Sequence, residues 1–360
     1  MISDGQLASA NFPHNHFTHV FIDEAGHAEE PEAIIAVSNL LNPNNSKGGQ
    51  LVLAGDPKQL GPVLRSPMAI KFGLATSFLE RLMTDNSLYA RKEEEPHYNP
   101  KVMTKLLQNY RSHPEILELP NELFYDNELE AKANVFMRQM MCRWEELPEK
   151  NFPLIFHGVE GKDEREGTSP SFFNTKECHA VFEYIQKLME GRHSGKKLKQ
   201  SDIGVISPYR KQVQKIQKAL DKRNYKDIKV GSVEEFQGQE RLIIIVSTVR
   251  SSEQFLKDDK HFKLGFLNNP KRFNVAITRA KALLIIIGNP VVLSKDKNWK
   301  SLINFCNERG GSTGVRYRSD INMLSEFDAI NDTESDLEDE NDTGVSLVAQ
   351  HNEPAWPGEH

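Results

Sequence analysis

The sequence predicts an α/β protein built on parallel sheets covered by helices. Three observations carry that reading. Short apolar runs recur along the chain, each flowing into a Gly, Pro or Asp turn and then into a helical pattern. Several of those runs are apolar on both alternating faces, as strands buried between two helical layers must be. Finally, 360 residues with 38% hydrophobic and 27% charged side chains have the balance of a globular chain, long enough for two domains with separate cores.

In chain order, strands are expected at 18–22, 51–54, 154–157, 203–206, 229–233, 242–248 and 283–288. Helical spacing of apolar residues marks 176–190 and 209–222, and also 110–124 around Pro114 and Pro120. The stretch KEEEPHYNPK at 92–101 is polar and proline-containing, the composition of a linker between two sheets. From about 324 onward the chain is acidic and nearly without apolar clusters, too little to offset ordering entropy, so a disordered tail is expected there. No internal repeat is visible. The expected division is 1–95, 96–318 and a tail at 319–360.

No apolar run approaches the roughly 20 residues of a membrane helix, and the start MISDGQLASANF has no basic-then-apolar signal. Cys142, Cys178 and Cys306 are scattered, with no C-x-x-C pairing, which argues against a disulfide framework or a structural zinc. His14, His16, His19 and His27 cluster near the first strand without a matching ligand set and read as ordinary strand-edge histidines. The net charge of -6 hides an asymmetry, because residues 320–360 hold twelve acids and no Lys or Arg. The rest is mildly basic and permits an anionic partner. The basic stretch at 187–199 reads as a solvated loop.

Six segments carry chemistry. Asp23-Glu24 ends an apolar strand, the place where open parallel sheets bind ligands. One carboxylate there can hold Mg2+ through its waters, and the next can take a proton from an attacking water. The run Leu51-Val-Leu-Ala-Gly-Asp-Pro-Lys-Gln59 leads a second strand into a rigid turn that presents the Gln59 amide to a water or a terminal phosphate. Next, Asn109-Tyr110-Arg111-Ser112-His113-Pro114 sets an aromatic face beside a guanidinium fork. The segments Ser207-Pro208-Tyr209-Arg210, Phe236-Gln237-Gly238-Gln239-Glu240 and Thr278-Arg279-Ala280-Lys281 each follow a strand. Gly238 allows close backbone approach and Glu240 can accept from sugar hydroxyls. Arg279 can serve as an arginine finger on a γ-phosphate.

Together, in this order and spacing, the six segments resemble superfamily 1 helicases of the Upf-one-like group. The longer runs FIDEAGH, LVLAGDPKQLGPVLRSP, NYRSHP, FPLIFHGVEGKDEREG, VISPYRKQV, KVGSVEEFQGQE and NPKRFNVAITRAKALLIIIGNP are similar to the Mov-ten branch of that group, over about 14–315. The resemblance implies an incomplete first RecA-like domain and a complete second one. It also implies an ATP-dependent RNA helicase moving 5′ to 3′, with ATP between the domains and single-stranded RNA across both. Carried over, Asp23 holds Mg2+, Glu24 is the general base and Gln59 reads the γ-phosphate. Tyr110 stacks on adenine, Arg111 and Arg279 clamp phosphates, and Glu240 lies near the ribose. Pro208, Tyr209, Thr248 and Arg250 match segments that face the RNA backbone. The family implies a cytoplasmic protein of processing bodies or other ribonucleoprotein granules. It acts in RNA silencing, mRNA turnover and antiviral restriction, as a monomer with Argonaute and Upf-one as partners.

One part of the pattern is missing. A Walker A loop, G-x-x-x-x-G-K-[ST], is absent, and Ser46-Lys47-Gly48-Gly49 has the wrong order for one. The chain therefore reads as the C-terminal portion of a longer helicase, a fragment or a short isoform. With its first strands lacking, residues 1–90 are expected to be marginal alone, with an uncovered apolar face. Two other readings stay open from sequence: a non-hydrolysing RNA- or partner-binding module, and a DNA helicase of the same superfamily.

Overall fold

The computed structural model describes residue 12 and residues 16–41, 49–64, 66–93, 97–167, 171–252 and 269–317. The expected acidic tail and the segment Ser46-Lys47-Gly48 lie outside those residues. The chain divides between Leu106 and Leu107 into two compact units. The stretch expected to link two sheets belongs to the first unit, where the Lys92 N–H donates to the His97 carbonyl at 2.7 Å. Among the described residues no helix is long and apolar enough to cross a membrane.

The first unit contains β1 (His19–Ile22), α1 (Glu30–Leu40), β2 (Gln50–Leu53), α2 (Pro67–Lys71) and α3 (Phe78–Asp85). β1 and β2 pair in parallel, from His19 opposite Gln50 to Ile22 opposite Leu53. Ile22, Ala25 and Ala33 form a small core, with Val20, Val37, Leu51, Leu53, Phe78 and Leu79 against it. Ser77 caps α3 by accepting the Glu80 N–H at 3.2 Å. Arg81 then grips Glu30 with two bonds of 2.6 and 2.7 Å, fastening α3 to α1. The opposite face of this sheet carries Phe21, 71% exposed, in register with Val52, 38% exposed.

The second unit runs through β3 (Gln108–Asn109), α4 (Pro114–Phe124), β4 (Glu130–Ala131), α5 (Val135–Arg138), β5 (Leu154–Gly158), β6 (Glu164–Arg165), β7 (Phe172–Phe173), α6 (Thr175–Glu190), β8 (Ile203–Ile206), α7 (Arg210–Asp221), β9 (Lys229–Gly231), β10 (Arg241–Ser247), α8 (Pro270–Ile277), β11 (Ala280–Gly288), α9 (Pro290–Leu293), α10 (Lys297–Glu308) and β12 (Ser312–Gly314). Six strands form one parallel sheet in the order β12-β5-β11-β10-β8-β9. This is the RecA-like α/β architecture. The two central strands are buried almost throughout. Ile243, Ile245, Leu283, Ile285 and Ile287 belong to one core with Val181, Ile185 and Leu188 of α6 and Ile216 and Leu220 of α7. The alternate positions, including Leu284 and Ile286, take the other face, on the side of α4 and α10. There Phe273 of α8 meets Trp299 of α10 edge to face at 4.9 Å.

All seven expected strands are present, one of them (203–206) with both ends as expected and the others with an end moved by up to three residues. The strand expected at 283–288 starts three residues earlier, at Ala280, and the one expected at 229–233 is cut short. β9 stops at Gly231 because the Ser232 hydroxyl accepts the Glu235 N–H, and Glu234–Phe236 turns into a 3-10 segment. The helix expected from 110 begins at Pro114, since the residue before proline is pushed out of the α region. His113 becomes its cap, with Nδ1 accepting the Glu115 N–H at 3.2 Å. Its other nitrogen therefore carries the proton and donates to Cys142 Sγ at 3.4 Å. Sequence periodicity did not reveal β12, which joins β5 through a close approach: a Cβ on Gly158 would lie 1.8 Å from the Val315 carbonyl oxygen.

Two outcomes follow from this packing. Gly158→Ala should detach β12 from β5 and cost about 2–3 kcal/mol, read as a lower urea midpoint at unchanged m-value. Burial, assisted by the charge of Arg138, holds the His113 ring down at about 4 from its ordinary 6.5. The unfolded chain therefore binds a proton that the folded one refuses between those values. The contribution is complete above pH 6.5 and is lost as pH falls toward 4, roughly 3 kcal/mol at most. His113→Asn keeps a capping oxygen without a titrating ring, so it should flatten the acid limb of a stability-against-pH curve.

Candidate functional site

In the first unit the candidate side chains stand on the loops that leave the carboxyl ends of β1 and β2. Asp23 and Glu24 are both exposed. Glu24 takes a left-handed backbone with φ of 52°, which costs about 1 kcal/mol for a residue with a Cβ. The Asp23 carboxylate steadies it by accepting the Glu24 N–H at 3.0 Å. On the neighbouring loop, Asp56 accepts from Gln59 Nε2 at 2.9 Å and from the Lys58 N–H at 2.8 Å, which fixes where the Gln59 amide lies. The loops are fastened to each other by a backbone hydrogen bond and by one side chain. Ala25 N–H donates to the Ala54 carbonyl at 2.8 Å, and His27 Nδ1 meets the Gly61 carbonyl oxygen at 2.8 Å. Where they touch, each contributes a glycine: a Cβ on Gly26 would lie 2.8 Å from the Asp56 carbonyl oxygen, and one on Gly55 would lie 2.7 Å from the Gly26 nitrogen.

In the second unit, three distant segments converge. Arg111 Nε donates to Glu240 Oε2 at 2.5 Å, across 129 residues of sequence. Lys281 Nζ takes the other oxygen at 2.7 Å. Burial alone would raise the Glu240 carboxyl, but the bonds from Lys281 and then Arg111 overcome it and hold it at about 2. Arg111 also reaches the Thr278 carbonyl at 3.4 Å, and Arg279 reaches the Thr278 hydroxyl at 3.3 Å. Arg279 is buried, and its Nε donates to the Val275 carbonyl at the end of α8 at 3.2 Å. Tyr110 stands beside this cluster with its ring 70% exposed and its hydroxyl donating to Gln108 Oε1. Gly238 sits at φ of 66°, two residues before Glu240. Lys281 was missed as a site residue, although it lies two positions after Arg279 in a segment already singled out.

The four residues expected on the RNA side fall into two layers. Pro208 and Tyr209, at the end of β8, are half-buried. Thr248 and Arg250, which follow β10, are inside the unit. The Thr248 hydroxyl donates to the Ile287 carbonyl at 3.2 Å. Arg250 pairs with Asp163 at 2.9 Å, both side chains being shielded from solvent, and lies 4.3 Å from the centre of the Phe172 ring. The Phe172 ring in turn meets Tyr209 edge to face at 5.8 Å. Arg165 also lies over the Phe172 ring, 3.9 Å from its centre. Burial raises the Asp163 carboxyl above its usual range, opposed by the Ser251 N–H and by Arg250. Asp163, Arg165 and Phe172 were missed; the signal available was their dense charged and aromatic run ahead of α6. Among the described residues no three His, Cys, Asp or Glu side chains gather as a metal site. A carboxylate at the end of β1 still fits Mg2+, an ion that keeps most of its own waters.

The AAA domain family profile matches residues 74–291, and a second AAA domain profile matches 2–67. The chain is 52% identical over 373 residues to the putative helicase mov-10-B.1 of Danio rerio, covering 100% of this chain and 36% of that protein. It is 54% identical to the putative helicase MOV-10 of Gallus gallus, covering 89% and 34%. To the RNA helicase Mov10l1 of Homo sapiens it is 53% identical, covering 81% and 24%. The chain thus spans about a third or less of the length of the relatives it matches. With a parallel six-stranded sheet, the strand-end motifs in order and these identities, the chain belongs to the MOV-10 type of superfamily 1 helicases, within the AAA domain family.

Proposed function

We propose that this chain is the part of an ATP-dependent, 5′-to-3′ RNA helicase that carries the catalytic base of a first RecA-like domain and the phosphate- and RNA-facing residues of a second. The single observation that carries the reading is the convergence of Arg111, Glu240 and Arg279, drawn from three segments, beside the exposed ring of Tyr110. A flat aromatic for a base, a carboxylate for ribose hydroxyls and two guanidinium groups for phosphates make a nucleotide-binding set. Arg111 is already engaged by Glu240, so a bound nucleotide takes over one partner of an existing pair.

Within this reading Asp23 holds Mg2+ and Glu24 accepts the proton of the attacking water, from an exposed position at the end of β1. Mg2+, when bound, neutralises charge that develops on the terminal phosphate oxygens. Gln59, held by Asp56, reads the γ-phosphate, and Gly238 lets the nucleotide approach the backbone. On the RNA side Pro208 and Tyr209 make the direct contacts, while Thr248 and Arg250 support them from beneath. The wider role follows the family: single-stranded RNA as ligand, Argonaute and Upf-one as protein partners, and work in cytoplasmic silencing and mRNA decay. A non-hydrolysing RNA-binding module remains the second reading, because the sequence has no G-x-x-x-x-G-K-[ST] loop.

RNA-stimulated ATP hydrolysis should appear in a version extended upstream to include a phosphate-cradling loop, and not in the 360-residue chain. Glu24→Gln in the extended version should lower turnover by about 10²- to 10⁴-fold. Turnover that survives that change would overturn the assignment. RNA binding indifferent to ATP analogues, with no hydrolysis in either version, would establish the module instead. Tyr209→Ala should weaken single-stranded RNA binding by about 1–3 kcal/mol, measured by anisotropy at fixed salt against a matched DNA strand.

A further inference from the structure

Beneath the RNA-facing layer lies a strained turn with an unusual anchor. Val249 has φ of 73°, a left-handed backbone that β-branched residues avoid. The Arg250 N–H donates back to the Thr248 carbonyl at 2.9 Å, which closes a three-residue turn of the rare, strained hand. Such a turn persists only when its surroundings over-determine it. Here both backbone groups of Val249 are held by the first turn of α6. The N–H donates to Glu177 Oε2 at 2.8 Å, and the carbonyl accepts from Asn174 Nδ2 at 3.0 Å.

Glu177 is fully buried, and its place in the helix makes that use of it more telling. Asn174 is the cap of α6 and Glu177 stands three residues later, the spacing of a capping box. In such a box the glutamate reaches back to the cap residue's own N–H. In this unit that N–H goes instead to Gln212 Oε1 at 2.9 Å, from α7. Gln212 Nε2 also donates to the Ser247 hydroxyl at 2.9 Å, and Ser247 donates to Glu177 Oε2 at 2.6 Å. The glutamine has displaced the carboxylate from its ordinary task and left it to hold the strand end.

We infer that Glu177 is a positioning residue for RNA binding: by holding the Val249 turn it sets Arg250 against Phe172, and through Phe172 it fixes the ring of Tyr209. The inference rests on the RNA reading of Tyr209 given above. Glu177 itself touches no RNA. Glu177→Gln should fail in a specific way. Turning the amide oxygen toward Val249 and Ser247 aims its NH2 at Asn174 Nδ2, a donor already 3.3 Å from Glu177 Oε1. Turning it the other way aims the NH2 at the Val249 N–H. Either way a donor faces a donor, and the turn loses its anchor.

Burial is the larger influence on the Glu177 carboxyl and pushes it up to about 8, so the test is run at pH 9, where it is ionised. Three proteins are compared with the parent: Glu177→Gln, Val249→Gly, and the two together. The probe is a fluorescein-labelled single-stranded RNA oligonucleotide. Glu177→Gln should bind about five- to tenfold more weakly, the lower range of losing an aromatic stack. Val249→Gly should bind as the parent does, because glycine adopts the turn without an anchor. The double variant should recover to within about twofold of the parent, which a general loss of stability does not produce. Hydrogen exchange of the Val249 amide gives a readout independent of RNA and should speed up at least tenfold in Glu177→Gln. If Glu177→Gln alone does not fold, a folded, RNA-binding double variant supports the inference and an unfolded one overturns it. A folded Glu177→Gln with parental RNA affinity, or with the Val249 amide still protected, overturns it. Tyr209→Ala in the parent separates the two levels: unchanged affinity there removes the RNA reading, while the exchange result still decides whether Glu177 holds the turn.

Discussion

The central constraint is burial of β10 and β11 on both faces. Two adjacent parallel strands with apolar residues at nearly every position leave no room for chemistry along their length. Polar groups are therefore displaced to the strand ends, where the chain turns from sheet to helix and backbone N–H and C=O groups lose their ladder partners. Glu240 precedes β10 and Arg241 opens it; Ser247, Thr248 and Arg250 end or follow it; Arg279 and Lys281 flank the start of β11. One end of the strand pair thus gathers Arg111, Glu240, Arg279 and Lys281, and the other gathers Glu177, Ser247, Arg250 and Asp163. The two charged clusters of the second unit lie in the two places the buried strands cannot occupy.

Each end solves the cost of its charges differently. Around Glu240 the ions stay about a third exposed, so water shares the burden and the pairs can be exchanged. Around Arg250 the pair with Asp163 is withdrawn from solvent, and the guanidinium is covered by an aromatic ring as well. A buried ion pair gains little net stability over apolar packing, but losing one partner strands the other. Such a site favours fixed geometry over exchange. The contrast suits the nucleotide pocket proposed on one side and the support proposed on the other.

Much of this was legible in the sequence, and the failures have physical reasons. Continuous apolar runs such as IGVI and LLIIIG announce buried strands directly, and all of them appear. Short strands do not announce themselves. β12 is Ser-Thr-Gly, with no apolar pattern, and exists because Gly158 lets its backbone come close. The motif segments named Arg111, Glu240 and Arg279, which the fold brings near one another, yet gave no sign that Lys281 would share Glu240. Direct contact with RNA was expected of Arg250, but its guanidinium lies inside the unit, because a partner 87 residues earlier, Asp163, draws it inward. Pairings over such distances depend on how the sheet is ordered, β5 standing two strands from β10, and local spacing carries no record of that order.

The contact between Gly26 and Gly55 in the first unit has a consequence for how this region tolerates change. Most tight contacts between two segments involve a side chain, and a larger residue on one side can be accommodated by a smaller one opposite. At this crossing both partners are already glycine, and what each would strike is backbone of the facing loop. There is nothing left to trim. A substitution at either position has no local suppressor, so revertant screens in this region should return the original glycine or act by moving a whole loop, and the loops bearing Asp23, Glu24 and Gln59 would then move together.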